Sequence, residues 1–265
     1  MSRNSKGMTR TGALKAPRRE GRRAAGRGRT RYRRLVLKIS GEGFCRPGGI
    51  GIDGEMLEKI AAEILGVARL GIQVAVVVGG GNFLRGASVA QKSRIQPATA
   101  HYMGMLATVI NALALQDVLE AHGQETRVQS SIAIAAACEP FIRRRCIAHM
   151  QKGRVVILAA GTGRPFVTTD SAAALVAVEI GADVLLKATK VDGVYSADPV
   201  RDSSARRYAR LTYNRVIDDR LKVMDVSAVD MCQQNGVPII VFSLLKPGNM
   251  RRVCLGETVG TTISG

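Results

Sequence analysis

The run Ile72-Gln73-Val74-Ala75-Val76-Val77-Val78 leads straight into Gly79-Gly80-Gly81-Asn82. A β-branched run with almost no polar alternation cannot face water on one side, so it predicts a strand covered on both faces. Such strands belong to parallel sheets packed between helices, which fixes the class of fold before any other segment is read. The three glycines that follow leave successive backbone N–H groups unshielded, an arrangement that can close on an anion. A tight strand-to-helix turn would need only one of them.

The rest of the chain repeats this pattern. Leu35-Val36-Leu37-Lys38-Ile39 predicts a first strand ending at Ser40-Gly41. Asp53 is placed to cap a helix whose apolar positions Met56, Leu57, Ile60, Ile64, Val67 and Leu70 recur at helical spacing, with Gly71 ending it. Helices are also expected near 101–121, 168–180 and 224–235, and strands near 127–132, 155–159, 183–187 and 237–242. Strands alternating with helices imply an α/β protein with a mostly parallel sheet. Ligands of such sheets bind beyond the carboxyl ends of the strands. The segments there are Lys38-Ile39-Ser40-Gly41, Gly79 to Asn82, Gly161-Thr162-Gly163-Arg164 and Lys187-Ala188-Thr189-Lys190.

Composition narrows the classes. The net charge of +18 is mostly a property of the N-terminus, where residues 1–34 hold 13 of the 39 basic residues and a single acid, Glu20. Residues 1 to about 30 are rich in Arg, Gly, Ala and Ser, too polar to offset their ordering entropy, and are expected to be disordered. That arm is either a solvated extension or an electrostatic contact for nucleic acid. Five scattered cysteines without a C-x-x-C pair read as reduced thiols in a cytoplasmic protein. No wholly apolar run reaches the roughly 18 residues of a membrane span, and the basic N-terminus lacks the apolar stretch of a signal peptide.

The loop residues point to phosphate chemistry. Lys38, at the end of an interior strand, suits the β- and γ-phosphates of ATP, with Ser40 and Gly41 supplying donors beside it. Arg85, four residues past Gly81, can clamp the same oxygens. Gly81 to Ser88 is not a P-loop, because the lysine position holds Ala87. No strand is followed by G-x-G-x-x-G, and no G-x-S-x-G is present, which argues against dehydrogenase and serine-hydrolase sites. In Gly161 to Ser171 the hydroxyls before Asp170 read either as an anion site or as an ordinary helix cap. In Lys187 to Pro199, Tyr195 can stack on a base with Asp198 near ribose or metal, or Asp192-Gly193 can turn a plain hairpin.

In order along the chain, the motifs 37–42 (LKISGE), 51–53 (GID), 79–86 (GGGNFLRG), 103–111 (MGMLATVIN), 160–173 (AGTGRPFVTTDSAA), 187–199 (KATKVDGVYSADP) and 221–225 (LKVMD) closely resemble the bacterial uridylate kinases of the amino-acid-kinase family. The resemblance covers residues 34–265. It implies a three-layer αβα sandwich over residues 32–265 behind a basic extension (1–31), a homohexamer, and direct transfer from MgATP to UMP. By that resemblance Lys38, Ser40 and Gly41 hold ATP phosphates, Gly81 and Arg85 reach the transferred group, and Thr189, Tyr195 and Asp198 line the ATP base and ribose. Gly80, His101 and the loop Thr162, Gly163, Arg164, Pro165, Phe166, Val167, Thr168 and Thr169 hold UMP. Asp170 and Asp225 position lysines and magnesium, no residue set being expected to hold a metal alone. Arg46, Pro47, Gly48, Gly49, Ile50 and Gly51 match the family's region for GTP activation, and UTP inhibition is common in relatives.

One departure stands out. The family places an Asp two residues before Met-Gly-Met and an Arg four residues before that Asp, where this chain has His101 and Pro97. A neutral imidazole accepts one hydrogen bond where a carboxylate accepts two. The competing functional readings are a carboxylate or carbamate kinase of the same fold and a nucleic-acid-binding regulator.

Overall fold

A computed structural model describes residues 30–84, 94–197, 199, 201–221 and 223–265. The basic arm up to residue 29, Arg85 and Asp198 lie outside the described residues. The first half contains β1 (Arg34–Ile39), α1 (Gly54–Ala68), β2 (Gln73–Val78), α2 (Pro97–Ala121), β3 (Thr126–Ser130), β4 (Glu139–Pro140), α3 (Arg143–Gln151) and β5 (Val155–Ala159). The second contains α4 (Thr169–Ile180), β6 (Val184–Thr189), β7 (Val194–Tyr195), β8 (Arg207–Tyr208), β9 (Arg210–Thr212), α5 (Tyr213–Asp218), α6 (Val226–Gln234), β10 (Ile239–Ser243), α7 (Asn249–Cys254) and β11 (Thr261–Ser264).

Nine strands form one sheet in the order β4-β3-β5-β2-β1-β6-β10-β11-β9, parallel except where β10 meets β11. From β1 the chain builds outward through β2 on one side and later returns to place β6 on the other. The switch point is therefore β1/β6, and the crevice beyond their carboxyl ends is where a ligand is expected. Strand pleating sends Leu35, Leu37 and Ile39 to one face and Val36 to the other. The first face is covered by α1, α2 and α7 through Ile60, Leu115, Leu119 and Val253. The second is covered by α3 to α6 through Met150, Ala173, Val216 and Val229. The result is the expected three-layer αβα sandwich.

Most expected elements appear, with Asp53 capping α1 by accepting from the Met56 amide at 3.0 Å. α2 starts at Pro97, earlier than expected, because proline suits a first helical turn. Asp192-Gly193 does not turn a tight hairpin: β7 pairs with β8 across residues 196–206. The short strands β4 and β9, at the sheet's two edges, and β11 next to β9 were not anticipated. By length and composition α2 could also cross a membrane, which the search for wholly apolar runs did not register. Its Ala112, Leu115 and Leu119 are instead fully buried in the core.

All five cysteines are free and buried, and burial pushes the thiols of Cys146, Cys232 and Cys254 up to about 12. They are inert packing residues.

The glycine triplet is used in two ways. A Cβ on Gly79 would sit 2.7 Å from the Gly41 nitrogen, and one on Gly80 would sit 2.6 Å from the Gly104 carbonyl oxygen. These two glycines let the turn pack backbone to backbone against Ser40-Gly41 and against α2. At Gly81 a Cβ would meet nothing within 4 Å. Asn82 and Asn111 lock the turn, each amide donating to the other at 2.9 and 2.7 Å, while Asn111 also donates to the Gly79 carbonyl at 2.7 Å. Gly80→Ala should therefore cost at least about 1–3 kcal/mol by overpacking against fixed backbone. Gly81→Ala should stay within about 0.5 kcal/mol of the parent. Urea unfolding of both variants checks this, and equal stabilities would refute it.

Candidate active site

Parallel register places Lys38 of β1 directly opposite Lys187 of β6. Both side chains are about nine-tenths buried, and two adjacent cations there would repel strongly without a counter-charge. Asp170, in the first turn of α4, supplies it. Its two carboxylate oxygens lie 2.7 Å from Lys38 Nζ and 2.6 Å from Lys187 Nζ. Burial alone would push the Asp170 carboxyl up, but the two lysines outweigh it and hold the group below the usual carboxylate range. Burial draws the Lys187 ammonium below its ordinary value, with the Asp170 charge as the largest opposing influence. Lys187 also donates to the Val223 carbonyl. Two cations and one anion leave a net positive charge at the switch point.

Ser40 and Gly41 follow Lys38 with only Ile39 between, and Gly81 stands against Gly41 with its own Cβ position open. On the β6 side, Thr189 and Tyr195 line a cavity of about 540 Å³ together with Val194, Leu221 and Val223. The Tyr195 hydroxyl donates to Asp192, which raises its pKa. Lys246 pairs with the same carboxylate at 3.1 Å. Thr189 and Tyr195 thus come together as expected, whereas Arg85 and Asp198 lie outside the described residues.

A second cleft, of about 160 Å³, is lined by Gly80, Gly81, His101, Arg164, Thr168 and Thr169, among others. Thr168 is the cap of its helix and a cleft-lining residue at once. It caps α4 by accepting from the Ser171 amide at 3.3 Å, and it also faces the cleft. Its hydroxyl donates to Asp225. The preceding loop bends sharply, with Ala160, Gly161, Gly163 and Phe166 in the left-handed region. The Ala160 amide is held at 2.6 Å by the Thr108 hydroxyl. From Gly161 a deeper cavity of about 400 Å³ opens, lined by Ser130, Ser131, Phe141, Leu158, Thr162 and Leu175, among others. Among the described residues, the Thr162 hydroxyl is buried there without a partner. A buried polar group left open in this way is poised for a ligand.

Pro47 to Ile50 lie on an exposed loop, pinned where Arg46 Nε meets Asp53 at 2.7 Å. Gly51 exchanges hydrogen bonds with Asn82 at 2.9 and 2.8 Å, so the loop is tied to the glycine turn without entering either cleft. Sequence reasoning left Lys187 without a role of its own, and missed Ser130, Ser131 and Phe141 altogether. For Lys187 a signal existed: Leu-Val-Leu-Lys and Val-Leu-Leu-Lys each put a lysine after three apolar residues of a buried parallel strand.

Residues 33–243 match the model of the amino acid kinase family. A uridylate kinase from Paramagnetospirillum magneticum is 55% identical over 234 residues, covering 88% of this chain and 97% of that protein. Among solved structures, a UMP kinase from Bacillus anthracis superposes with a TM-score of 0.85 at 41% identity, covering 88% of this chain and 96% of that one. A UMP kinase from Ureaplasma parvum gives 0.82 at 34% identity, covering 89% and 100%. Fold, motif order and similarity agree, and the chain belongs to the amino acid kinase family and, within it, to the uridylate kinases.

Proposed function

We propose that this chain transfers the γ-phosphoryl group of ATP to UMP, giving ADP and UDP for pyrimidine nucleotide synthesis in the cytoplasm. The observation that carries the reading is the Lys38–Asp170–Lys187 cluster. Asp170 adjoins Thr169 of the smaller cleft, and Lys187 lies two residues before Thr189 of the large cavity. The large cavity is assigned to the base and ribose of ATP, with Ser40, Gly41 and Gly81 holding its phosphates and Arg85 and Asp198 completing the set. The smaller cleft takes the acceptor phosphate and ribose through Gly80, His101, Arg164 and the loop to Thr169. The deeper cavity takes the acceptor base, where the open Thr162 hydroxyl provides a partner.

Phosphoryl transfer asks little covalent chemistry of the protein. The acceptor is itself a phosphate oxygen, so no side chain has to remove a proton, and the two lysines act by neutralising charge as it spreads in the transition state. Mg²⁺ arrives with ATP and supplies further neutralisation of its phosphates. Such an ion needs only one or two protein carboxylates, and Asp225, beside Thr168 and close enough to raise the Lys187 pKa, is the residue placed to provide one.

Assaying ADP formation with UMP, CMP, acetylglutamate and aspartate tests the assignment; UMP should be strongly preferred, and turnover of a carboxylate instead would overturn it. Lys38→Ala should lower kcat by about 10²–10³. Asp170→Asn removes the charge that holds the Lys187 pKa up, so the alkaline limb of the kcat–pH profile should move to lower pH. An unmoved limb would deny Lys187 its role.

The kinase domain is assigned to residues 32–265, with the basic residues 1–31 dispensable for turnover and available to polyanions. Regulation by GTP at Arg46 to Gly51 is supported by the hydrogen bonds from Gly51 to the glycine turn, and UTP is the expected inhibitor. A homohexamer is supported by the exposed ridge Tyr102, Leu106 and Ile110 on α2, 43%, 49% and 48% accessible. Leu106→Glu should shift the sedimenting species to lower mass; an unchanged mass would place the interface elsewhere.

A further inference from the structure

Phe166 breaks two rules at once. Its φ of +66° lies in the left-handed region that a bulky side chain avoids, and its side chain is 70% exposed, so core packing does not compensate. The ring contact it makes is with His101, at 4.8 Å between centroids and a tilt of 57°. His101 lines the acceptor cleft from the second turn of α2, and among the described residues its ring makes no hydrogen bond. An imidazole steered by an aromatic ring, with both nitrogens uncommitted, is a ligand group waiting for a partner.

We propose that Phe166 is a positioning residue that holds His101 against the acceptor cleft, so that the two rings act as a single clamp on the acceptor nucleotide. The backbone strain at Phe166 is retained because relaxing it would withdraw the ring from His101. This rests on the assignment of the cleft to UMP. Phe166 governs how tightly the acceptor is held and leaves donor binding to the other cavity.

The test is a kinetic series on the full-length enzyme, with Phe166→Gly, Phe166→Tyr, His101→Leu and the double variant Phe166→Gly/His101→Leu. An aromatic pair of ordinary strength corresponds to about a two- to tenfold change. Phe166→Gly should raise the acceptor KM by that factor and leave the ATP KM within about twofold, while its Tm stays at or above the parent because glycine accepts the left-handed backbone. Phe166→Tyr should restore the parent acceptor KM. In the His101→Leu background, Phe166→Gly should change the acceptor KM by less than about twofold, the mark of two residues acting as one. Additive effects in the double variant, an unchanged acceptor KM in Phe166→Gly, or a fall in its Tm would overturn the clamp. Turnover of UMP by the parent enzyme tests the assignment separately. If another acceptor proves to be the substrate, the same series run on that acceptor still decides the clamp.

Discussion

The site depends on one arrangement of charge, Asp170 shared between Lys38 and Lys187. Burying two ammonium groups side by side is costly, and removing one partner from such a cluster leaves an uncompensated charge in the interior. The arrangement is tolerable because three elements converge on it. Parallel register sets the lysines opposite each other, the start of α4 delivers the carboxylate, and the Val223 carbonyl takes a further Lys187 proton. What remains is one net positive charge in a site of low dielectric, where it is worth more to a transferring phosphoryl group than it would be in water.

The glycine turns serve that cluster by geometry as well as by binding. Gly41 and Gly79 allow the ends of β1 and β2 to approach backbone to backbone, and Gly80 lets α2 close on the same turn. The usual explanation for a run of glycines, exposed N–H groups for phosphate, therefore accounts for Gly81 and only part of the rest. The other two are there because a side chain at Gly79 would push the turn away from Ser40-Gly41 and one at Gly80 would push it away from α2. Asn82 and Asn111 complete the joint with reciprocal amide bonds inside the protein, where a missing partner would be expensive.

Much of this could be read from the chain, for reasons that also explain the gaps. Continuous apolar strands and spaced helices announce their class because burial on both faces leaves no polar alternation, so β1, β2, β5, β6 and β10 were legible. Short strands of two to four residues such as the edge strands β4 and β9 and the neighbouring β11 carry too short a pattern. Lys38 was legible because it ends a strand at the switch point. Lys187 was marked only by the likeness of its strand to that of Lys38, and that the two lysines face each other needed the register of strands far apart in sequence. Phe166 was legible as part of a loop but not as a strained residue, since a positive φ on phenylalanine leaves no mark in composition.

The segment Val223 to Asp225 shows why the two clefts work as one site. Val223 lines the larger cavity and its carbonyl accepts from Lys187, while Asp225, two residues on, accepts from the Thr168 hydroxyl of the smaller cleft. One short segment ahead of α6 is thus hydrogen-bonded both to the loop before α4 and to the buried lysine of β6. Direct transfer between two nucleotides requires the donor and acceptor oxygens to be aligned together, and independent clefts would let one close without the other. Hydrogen bonds to Val223 and Asp225 tie Lys187 and Thr168 to one three-residue segment, the kind of shared wall that such joint alignment needs.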